Sequence, residues 1–432
     1  MAARVSRLHH ISLHVRDAVR VARTLASRFR FAPVGARLAA GGSRQFALRR
    51  GAAVFVVNER QDARAGTCPV TYGRDTDPVH RDDCLYDVRP PYPVDSACNV
   101  CFEVEDVEGS CARLRDRGCD VLVPPTEVRD PDGSVTYSVV RSVVGNVRHT
   151  LLDLSRYQGG FLPGFQRVEV DDDGGGDLNS QCPVTHFDHV TFACPRRSTA
   201  EVMTWYEENF GFQRFFIGSN EDVEEGYVLN EDGMGLRLTA MEYWKCSETG
   251  LKIPLKGRKE PDCKFVVAES LPEQGSNQVD TFLEQHRGPG IQHVGLFTQD
   301  IVSTAQTMAR AGVEFFSPPP TYYTEVGKQQ EILEVGHDPK EMMQHGILLD
   351  TDLRNHGDHS SSPSGRYLLQ VFTKPIFSED TFFLELIERR GATGFGEGNI
   401  RALWRSVQNY MEKEEREHRR ESEVKSKHTR QH

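Results

Sequence analysis

Two histidines and one glutamate, far apart along the chain, occupy matching places in similar strings of residues. His189 begins the string HVTF, His293 begins HVGL, and Glu385 lies in the apolar string FLEL. Two neutral imidazoles and one carboxylate form the ligand set of a non-haem Fe(II) centre, which keeps coordination positions open for substrate and O2. A carboxylate among apolar neighbours is costly to bury without a cationic partner. We therefore predict that these three side chains bind Fe(II), with a structural salt bridge as the alternative role for Glu385.

The elements that must position these residues form an internal repeat. Four segments, starting at Leu8, Asn99, Phe187 and Ile291, share a short apolar strand, a polar turn and an amphipathic helix. Apolar and polar residues alternate in the strands with the period of two expected of a half-buried strand. Several strand-like runs separated by Gly, Pro and Asn follow each helix. The pattern predicts an α+β fold of four tandem βαβββ modules.

A polar linker divides the four modules into two pairs. Residues 171–176 read DDDGGG, a stretch that cannot contribute to a hydrophobic core. We predict an N-terminal domain over 1–168, a linker over 169–182 and a C-terminal catalytic domain over 183–410. The remaining residues, 411–432, are almost all charged or polar and are predicted to be a disordered tail.

The N-terminal pair of modules carries a weaker version of the ligand set. Aligning the repeats by their own residues places His10 opposite His189 and Asn99 opposite His293. The same alignment matches the string LLDL around Asp153 with FLEL around Glu385. One histidine has thus been lost, and the N-terminal domain is predicted to be metal-free.

Composition excludes several classes of protein. A formal net charge of -11 argues against nucleic-acid binding, which needs a basic face. No apolar run reaches the roughly 18 residues of a membrane span, and ten dispersed cysteines do not suggest a disulfide scaffold. The first 50 residues are rich in arginine and contain a single acidic residue, Asp17. This segment is either a mitochondrial targeting sequence or the amphipathic helix of the first module, and both alternatives stay open.

Longer strings in the C-terminal half resemble a known family. The C-terminal half is similar to the 4-hydroxyphenylpyruvate dioxygenases, above all to the branch of 4-hydroxyphenylpyruvate dioxygenase-like proteins. The matching strings are FDHV at 187–190, GPGIQHVGL at 288–296, LLQVFTKP at 368–375 and FFLELIERRGATGFGEGNI at 382–400. The resemblance implies vicinal-oxygen-chelate modules arranged as two open-barrel domains.

The resemblance also implies a set of substrate-contacting residues. These are three glutamines, two aromatic wall residues and an asparagine in a closing C-terminal segment: Gln278, Gln292, Gln370, Phe372, Phe395 and Asn399. The chain departs from the family's pattern at 268–270, where Ala-Glu-Ser replaces Asn-Glu-Pro, and at Ile400, where the family has Phe. Both departures would reshape the pocket without changing the metal ligands.

The implied activity is the oxidation of a small aromatic 2-oxo acid by O2. The resemblance favours conversion of 4-hydroxyphenylpyruvate to 4-hydroxymandelate and CO2, which would supply coenzyme Q head-group synthesis. Formation of homogentisate, as in tyrosine catabolism, is the alternative, and a non-catalytic binding protein is a further one. We expect a mitochondrial location, with the cytoplasm as the alternative, and a possible homodimer.

Overall fold

The structure is a computed structural model, and its strands and helices follow the order of the predicted repeat. It describes residues 2–3, 5–39, 42–60, 84–168, 182–217, 221–231, 234–243, 263–272, 274–324, 328–352 and 366–401. The strands are β1 Val5–Val15, β2 Ala32–Leu38, β3 Arg44–Arg50, β4 Ala53–Glu59, β5 Ser96–Val104, β6 Val121–Asp130, β7 Gly133–Arg141, β8 Arg148–Asp153, β9 Val184–Cys194, β10 Gln213–Phe215, β11 Tyr227–Glu231, β12 Met234–Glu242, β13 Lys264–Ser270, β14 Gly290–Thr298, β15 Leu348–Asp352, β16 Arg366–Phe372 and β17 Phe383–Arg390. The helices are α1 Ala18–Ser27, α2 Val107–Asp116, α3 Thr199–Phe210, α4 Gln278–His286, α5 Ile301–Arg310, α6 Thr321–Thr324, α7 Lys328–Glu334 and α8 Pro339–His345.

Each module is a strand and a helix followed by an antiparallel group of strands. The first strand of every module pairs in parallel with the last: β1 with β4, β5 with β8, β9 with β13 and β14 with β17. The third module adds the short β10, and the fourth inserts α6, α7 and α8 between α5 and β15. The predicted α+β fold of four modules is confirmed.

The helices begin at capping residues that recur with the repeat. Asp17, Asp106 and Asp300 precede α1, α2 and α5, and each side chain accepts a hydrogen bond from a backbone N–H of the first helical turn. Such a cap satisfies a donor that the helix itself cannot pair and contributes about 1 kcal/mol. The apolar face of α1 then packs Val21 and Leu25 into the core. Aspartate after the first strand therefore fixes where each of these helices starts.

Pairs of modules join through their first strands. β1 pairs antiparallel with β5, and β9 pairs antiparallel with β14. In the second pair, Gly295 of β14 lies opposite His189 on one side and opposite Glu385 on the other. His293 lies two residues before Gly295 on the same strand and hence on the same face. This register is what brings three distant residues to one place.

The register of the N-terminal pair corrects one sequence alignment. Cys101 of β5 lies opposite His10 on β1 and opposite Thr150 on β8. Thr150, and not Asp153, is therefore the counterpart of Glu385. Asp153 lies three residues further along and accepts a hydrogen bond from the backbone N–H of Ser155. The strings LLDL and FLEL match in composition but occupy different positions in the parallel ladder.

Only part of the segments named in the remaining predictions about domain organisation is described by the structure. The predicted tail 411–432, and the predicted linker 169–182 except for Cys182, lie outside them. The arginine-rich N-terminal segment forms β1 and α1, so its amphipathic helix belongs to the core of the first module. In the described part of the chain, no helix has both the length and the apolar character needed to cross a membrane.

Candidate metal centre

The three predicted ligands converge in the structure. His189 Nε2 lies 3.1 Å from Glu385 Oε2, and His293 Nε2 lies 3.6 Å from the same oxygen. The two imidazole rings are nearly perpendicular, with centroids 5.4 Å apart. Each residue offers one atom to a cluster whose members all lie within 4.8 Å of one another. This compact N, N, O set has the spacing needed to bind one ion.

Each imidazole is oriented through its other nitrogen. His189 Nδ1–H donates to Asp188 Oδ1 at 2.9 Å, and His293 Nδ1–H donates to Gln292 Oε1 at 3.3 Å. The ladder between β9 and β14 is irregular at Asp188, which gives this residue the place of a β-bulge. Holding Nδ1 in this way fixes the tautomer and directs both Nε2 atoms towards Glu385, where a metal would bind.

Asp188 also connects the ligand to the C-terminal segment. Arg389 binds its carboxylate with two hydrogen bonds of 2.7 Å each. The same guanidinium donates to the carbonyl of Ala392 and lies over the Phe395 ring, 5.4 Å from its centroid. Phe395 in turn makes an edge contact with the His189 ring. The orientation of His189 is thus coupled to the segment that covers the site.

The electrostatics of the cluster favour one positive charge beside Glu385. Burial opposes a charge on the His189 ring, but the Glu385 and Asp188 carboxylates outweigh it and raise the pKa to about 9. Burial and the neighbouring His189 hold the pKa of His293 well below its ordinary value. Burial likewise opposes the Asp188 charge, yet Arg389 and His189 hold its pKa far below the usual range. A metal cation held by these three residues would take the place of the His189 proton.

Gly295 provides the space that the His189 ring occupies. A Cβ atom at this position would lie 2.4 Å from His189 Cε1 and 2.5 Å from Nδ1. These distances are far shorter than any van der Waals contact, and the ring is already fixed by Asp188. Glycine is therefore required here for a close approach of side chain to backbone.

The ligands line a cavity of about 580 Å³, a size typical of small-molecule sites. Its surface is mainly apolar. The wall residues include Leu236, Leu238, Val266, Ala268, Phe282, Leu348, Phe372, Phe382, Phe383, Phe395 and Ile400. Phe383 stacks on the His293 ring with centroids 4.8 Å apart. The cavity therefore suits a flat apolar ring placed beside the metal ligands.

Two buried amides line this cavity with atoms that have no partner among the described residues. These atoms are Gln370 Oε1, an acceptor, and Asn399 Nδ2, a donor. Tyr322 Oη donates to Asn399 Oδ1 at 2.7 Å and so fixes which end of that amide is left free. The first atom can accept a hydrogen bond from a ligand and the second can donate one.

The other predicted substrate-contacting residues differ in how deeply they lie in the cavity. Gln292 is buried beside His293, and Phe372 and Phe395 form part of the wall. Gln278 begins α4 and is exposed, so it lies at the rim of the cavity. Both departures from the family's pattern reach the cavity, through Ala268 and Ile400.

The sequence prediction missed Asp188, Arg389, Tyr322 and Gly295. Asp188 directly precedes a ligand, and Arg389 follows Glu385 by four residues, so adjacency was the available signal. Tyr322 carried no such signal, because its link to Asn399 spans 77 residues. The role of Gly295 depends on the register of two strand pairs.

The residues fit an iron centre on grounds of their own chemistry. Glu385 Oε1 is buried and has no hydrogen-bond partner in the described part of the chain. Burying such a carboxylate oxygen costs free energy unless a cation binds to it. Together with two oriented imidazoles, the set matches the facial arrangement used for Fe(II).

Comparisons with known proteins agree with this geometry. Residues 186–341 match a model of the glyoxalase/bleomycin resistance protein/dioxygenase superfamily. The chain is 43% identical over 412 residues to the 4-hydroxyphenylpyruvate dioxygenase-like protein of Mus musculus, an alignment that covers 94% of this chain and 98% of the mouse protein. It is 29% identical over 317 residues to the 4-hydroxyphenylpyruvate dioxygenase of Yarrowia lipolytica, with 73% of this chain and 72% of that protein covered.

A solved structure shares the fold. A mutant of 4-hydroxymandelate synthase from Streptomyces coelicolor superposes with a TM-score of 0.66 at 22% identity. The match covers 94% of this chain and 99% of the synthase chain. At this level of identity the likeness shows a common architecture.

Proposed function

Since the chain belongs to the 4-hydroxyphenylpyruvate dioxygenase family, we propose that it is an Fe(II)-dependent dioxygenase that acts on 4-hydroxyphenylpyruvate. Membership confirms the resemblance drawn from the sequence strings. Of the two reactions open to such an enzyme, we propose formation of 4-hydroxymandelate and CO2. Either reaction balances, because 4-hydroxyphenylpyruvate and O2 together contain the atoms of CO2 and of 4-hydroxymandelate or its isomer homogentisate.

One observation supports the iron chemistry above all others. Three ligand atoms from β9, β14 and β17 lie within 4.8 Å of one another at a cavity of about 580 Å³. Held by His189, His293 and Glu385, Fe(II) would supply open coordination positions for a 2-oxo acid and O2 and the redox chemistry of oxidative decarboxylation. The carboxylate of Glu385 would offset one of the two positive charges.

The remaining residues of the cavity would orient the substrate. The phenol hydroxyl of 4-hydroxyphenylpyruvate can donate to Gln370 Oε1 and accept from Asn399 Nδ2–H, the two amide atoms without partners. Phe383, stacked on His293, and Phe395, at the edge of His189, would confine the aromatic ring and keep water away from the reacting carbons. Orientation of this kind matters because a misplacement of about 1 Å can cost about a hundredfold in rate.

The choice between products depends on which substrate carbon faces the metal ligands. Attack at the benzylic carbon gives 4-hydroxymandelate, whereas attack on the ring with migration of the side chain gives homogentisate. Ile400 and Ala268 line the cavity where the family has a phenylalanine and an asparagine. The smaller side chains would let the ring shift relative to the metal ligands, and this altered wall supports the benzylic reaction.

A product assay tests the proposal. The full chain would be loaded with Fe(II) without oxygen, mixed with 4-hydroxyphenylpyruvate and O2, and the products separated against both standards. The two products are isomers of equal mass, so chromatographic retention or NMR must distinguish them. Homogentisate as the main product would contradict the benzylic assignment. Tight binding of 4-hydroxyphenylpyruvate without O2 consumption would instead indicate a non-catalytic binding protein.

Variants of the ligands provide the second test. His189→Ala, His293→Ala and Glu385→Ala should each abolish turnover, because two ligands hold the ion too weakly and in the wrong geometry. His337→Ala is the matched control, since this histidine contacts Tyr367 and lies outside the cavity lining. Turnover that persists in Glu385→Ala would refute the proposed centre.

The cellular role is a separate part of the proposal. 4-Hydroxymandelate contains the substituted ring from which a quinone head group such as that of coenzyme Q can be built, and this product would suit a mitochondrial location. Fractionation of cells that express the C-terminally tagged protein, with N-terminal sequencing of the recovered chain, would test the location. Light scattering of the purified chain would test the possible homodimer.

A further inference from the structure

The first strand of the N-terminal half brings two consecutive histidines to the same side. In a regular strand, neighbouring side chains point to opposite faces of the sheet. The ladder between β1 and β5 is irregular between Leu8 and His10, so His9 is an extra residue in the manner of a β-bulge. As a result, His9 Nδ1 lies 2.7 Å from His10 Nδ1.

A buried thiol completes the cluster. Cys101 lies opposite His10 in the ladder and is fully buried. One ligand atom from each of His9, His10 and Cys101 lies within 4.8 Å of the other two. The thiol has no hydrogen-bond partner among the described residues, and Phe161 packs against both imidazole rings.

This cluster differs from the iron ligands in position and in chemistry. Its members occupy the positions of Asp188, His189 and Gly295 in the C-terminal half, as the two ladders show. The positions equivalent to His293 and Glu385 carry Asn99 and Thr150, which hydrogen-bond to each other at 2.9 Å. The N-terminal half therefore lacks two of the three proposed iron ligands, and Cys101 occupies the position that corresponds to Gly295.

We propose that His9, His10 and Cys101 bind Zn²⁺ as a second metal site in the N-terminal half. Two imidazoles and a thiolate are ligands that zinc prefers, and a tetrahedral ion would leave one position for water or an anion. Zinc bonds of about 2.0–2.3 Å would require the two Nδ1 atoms to separate by roughly half an ångström. The sequence-based expectation of a metal-free domain considered only the iron set and did not include His9 or Cys101.

The surroundings provide neutral imidazoles, charge balance and a route for the ion. Burial lowers the pKa of His10 to about 4 and that of His9 well below its ordinary value, so both rings are neutral ligands near pH 7. His9 also lines a cavity of about 410 Å³ together with Arg7 and Arg49. The Arg7 guanidinium is paired with Glu103, and Arg49 would attract an anionic fourth ligand. Burial, and after it the Glu103 and Asp87 carboxylates, raise the pKa of the Cys101 thiol well above its ordinary value, so zinc would have to displace the thiol proton on binding.

A neighbouring cluster does not have the same capacity. His14, Asp87 and Cys98 are also close together. His14 Nε2, however, already lies 2.8 Å from Asp87 Oδ2 and 2.9 Å from Asn58 Nδ2. Its ligand atoms are therefore engaged in a closed hydrogen-bond network.

Zinc retention by the full-length protein tests the proposal. Protein incubated with Zn²⁺ and dialysed is expected to retain zinc at both sites, so that the content falls by about half in Cys101→Ser and equally in Glu385→Ala. Cys111→Ser is the matched control, because Cys111 is a buried cysteine on α2 that is not part of the cluster. Equal zinc content in wild type and Cys101→Ser would overturn the proposal.

Cobalt provides a readout that depends on the thiolate itself. Co²⁺ bound by Cys101 should give a thiolate-to-metal charge-transfer band in wild type, Glu385→Ala and Cys111→Ser, and none in Cys101→Ser. If Cys101→Ser does not fold by circular dichroism, the partly exposed His9→Gln serves instead. This variant should weaken zinc binding by more than about tenfold. A wild-type protein without the band would refute the site while leaving the iron chemistry unaffected.

Discussion

Substituting Asp188 by asparagine separates the stability of the site from the orientation of its ligand. The wild-type carboxylate accepts two hydrogen bonds of 2.7 Å from Arg389 and one of 2.9 Å from His189 Nδ1. Asparagine keeps the shape of the side chain but loses the charge. The Arg389 guanidinium is then left largely buried without its anion, and breaking a buried ion pair in this way costs about 3–5 kcal/mol.

The same substitution should weaken iron binding. A neutral amide is a poorer acceptor for His189 Nδ1–H, so the imidazole is less basic and its orientation less fixed. Loss of such an outer partner typically lowers metal affinity by about 10–100-fold, or about 1.4–2.8 kcal/mol. The expected loss of folding stability is thus larger than the expected loss of binding free energy.

Two assays and a double variant distinguish these effects. Urea unfolding of the metal-free protein gives the stability change, and anaerobic competition with a chelator gives Fe(II) affinity. Asp188→Asn combined with Arg389→Gln removes both charges and should recover part of the stability, whereas iron affinity should stay low. Wild-type iron affinity in Asp188→Asn, or full recovery of affinity in the double variant, would refute the orienting role of the carboxylate.

Three further predictions address space, substrate and pH. Gly295→Ala should displace the His189 ring and lower Fe(II) affinity by about 10–100-fold in the chelator assay. Gly160→Ala is the control and should leave Fe(II) affinity unchanged, because a Cβ atom there meets nothing within 4 Å. Tyr322→Phe should free the Asn399 amide to rotate and raise KM severalfold in steady-state kinetics with iron content unchanged; unchanged KM would contradict the role given to that amide. Burial lowers the pKa of His149 to about 3, so as pH falls the unfolded chain takes up the proton before the folded chain does. The free energy of unfolding should therefore fall between pH 6.5 and 3, by about 2 kcal/mol at pH 5. Urea unfolding at a series of pH values tests this, and the same pH dependence in His149→Gln as in wild type would contradict it.

The sequence predicted most of the fold because its signals are local and repeated. Aspartate caps at Asp17, Asp106 and Asp300 mark the helix starts, and each follows a strand of alternating apolar residues. Such features depend on a few neighbouring residues and can be recognised without knowing the tertiary structure. The two proposed histidine ligands of the C-terminal half were predicted in the same way, from their equivalent places in the repeats.

Strand register and side-chain depth could not be predicted in this way. Asp153 was aligned with Glu385 because both lie between leucines, yet the ladder pairs Thr150 with Cys101 as it pairs Glu385 with Gly295. β8 is buried on both faces as far as Leu152, so its sequence lacks the apolar–polar alternation that would otherwise specify the register. The depth of Gln278 could not be read from the sequence either: it lines the cavity, and its exposed position at the start of α4 places it at the rim.

Comparison of the two halves suggests what decides whether such a pair of modules binds iron. On β14, glycine at 295 leaves room for the His189 ring beside the strand, and the bulge residue Asp188 fixes its tautomer. On β5, the equivalent position is Cys101, and the equivalent bulge residue, His9, directs a second imidazole towards the first. In the C-terminal half the three proposed ligands therefore occur together with a small residue opposite the first histidine and an acceptor at the bulge. The N-terminal half differs at both of these positions and also carries Asn99 and Thr150 in place of two ligands, which leaves it a donor set suited to a softer ion.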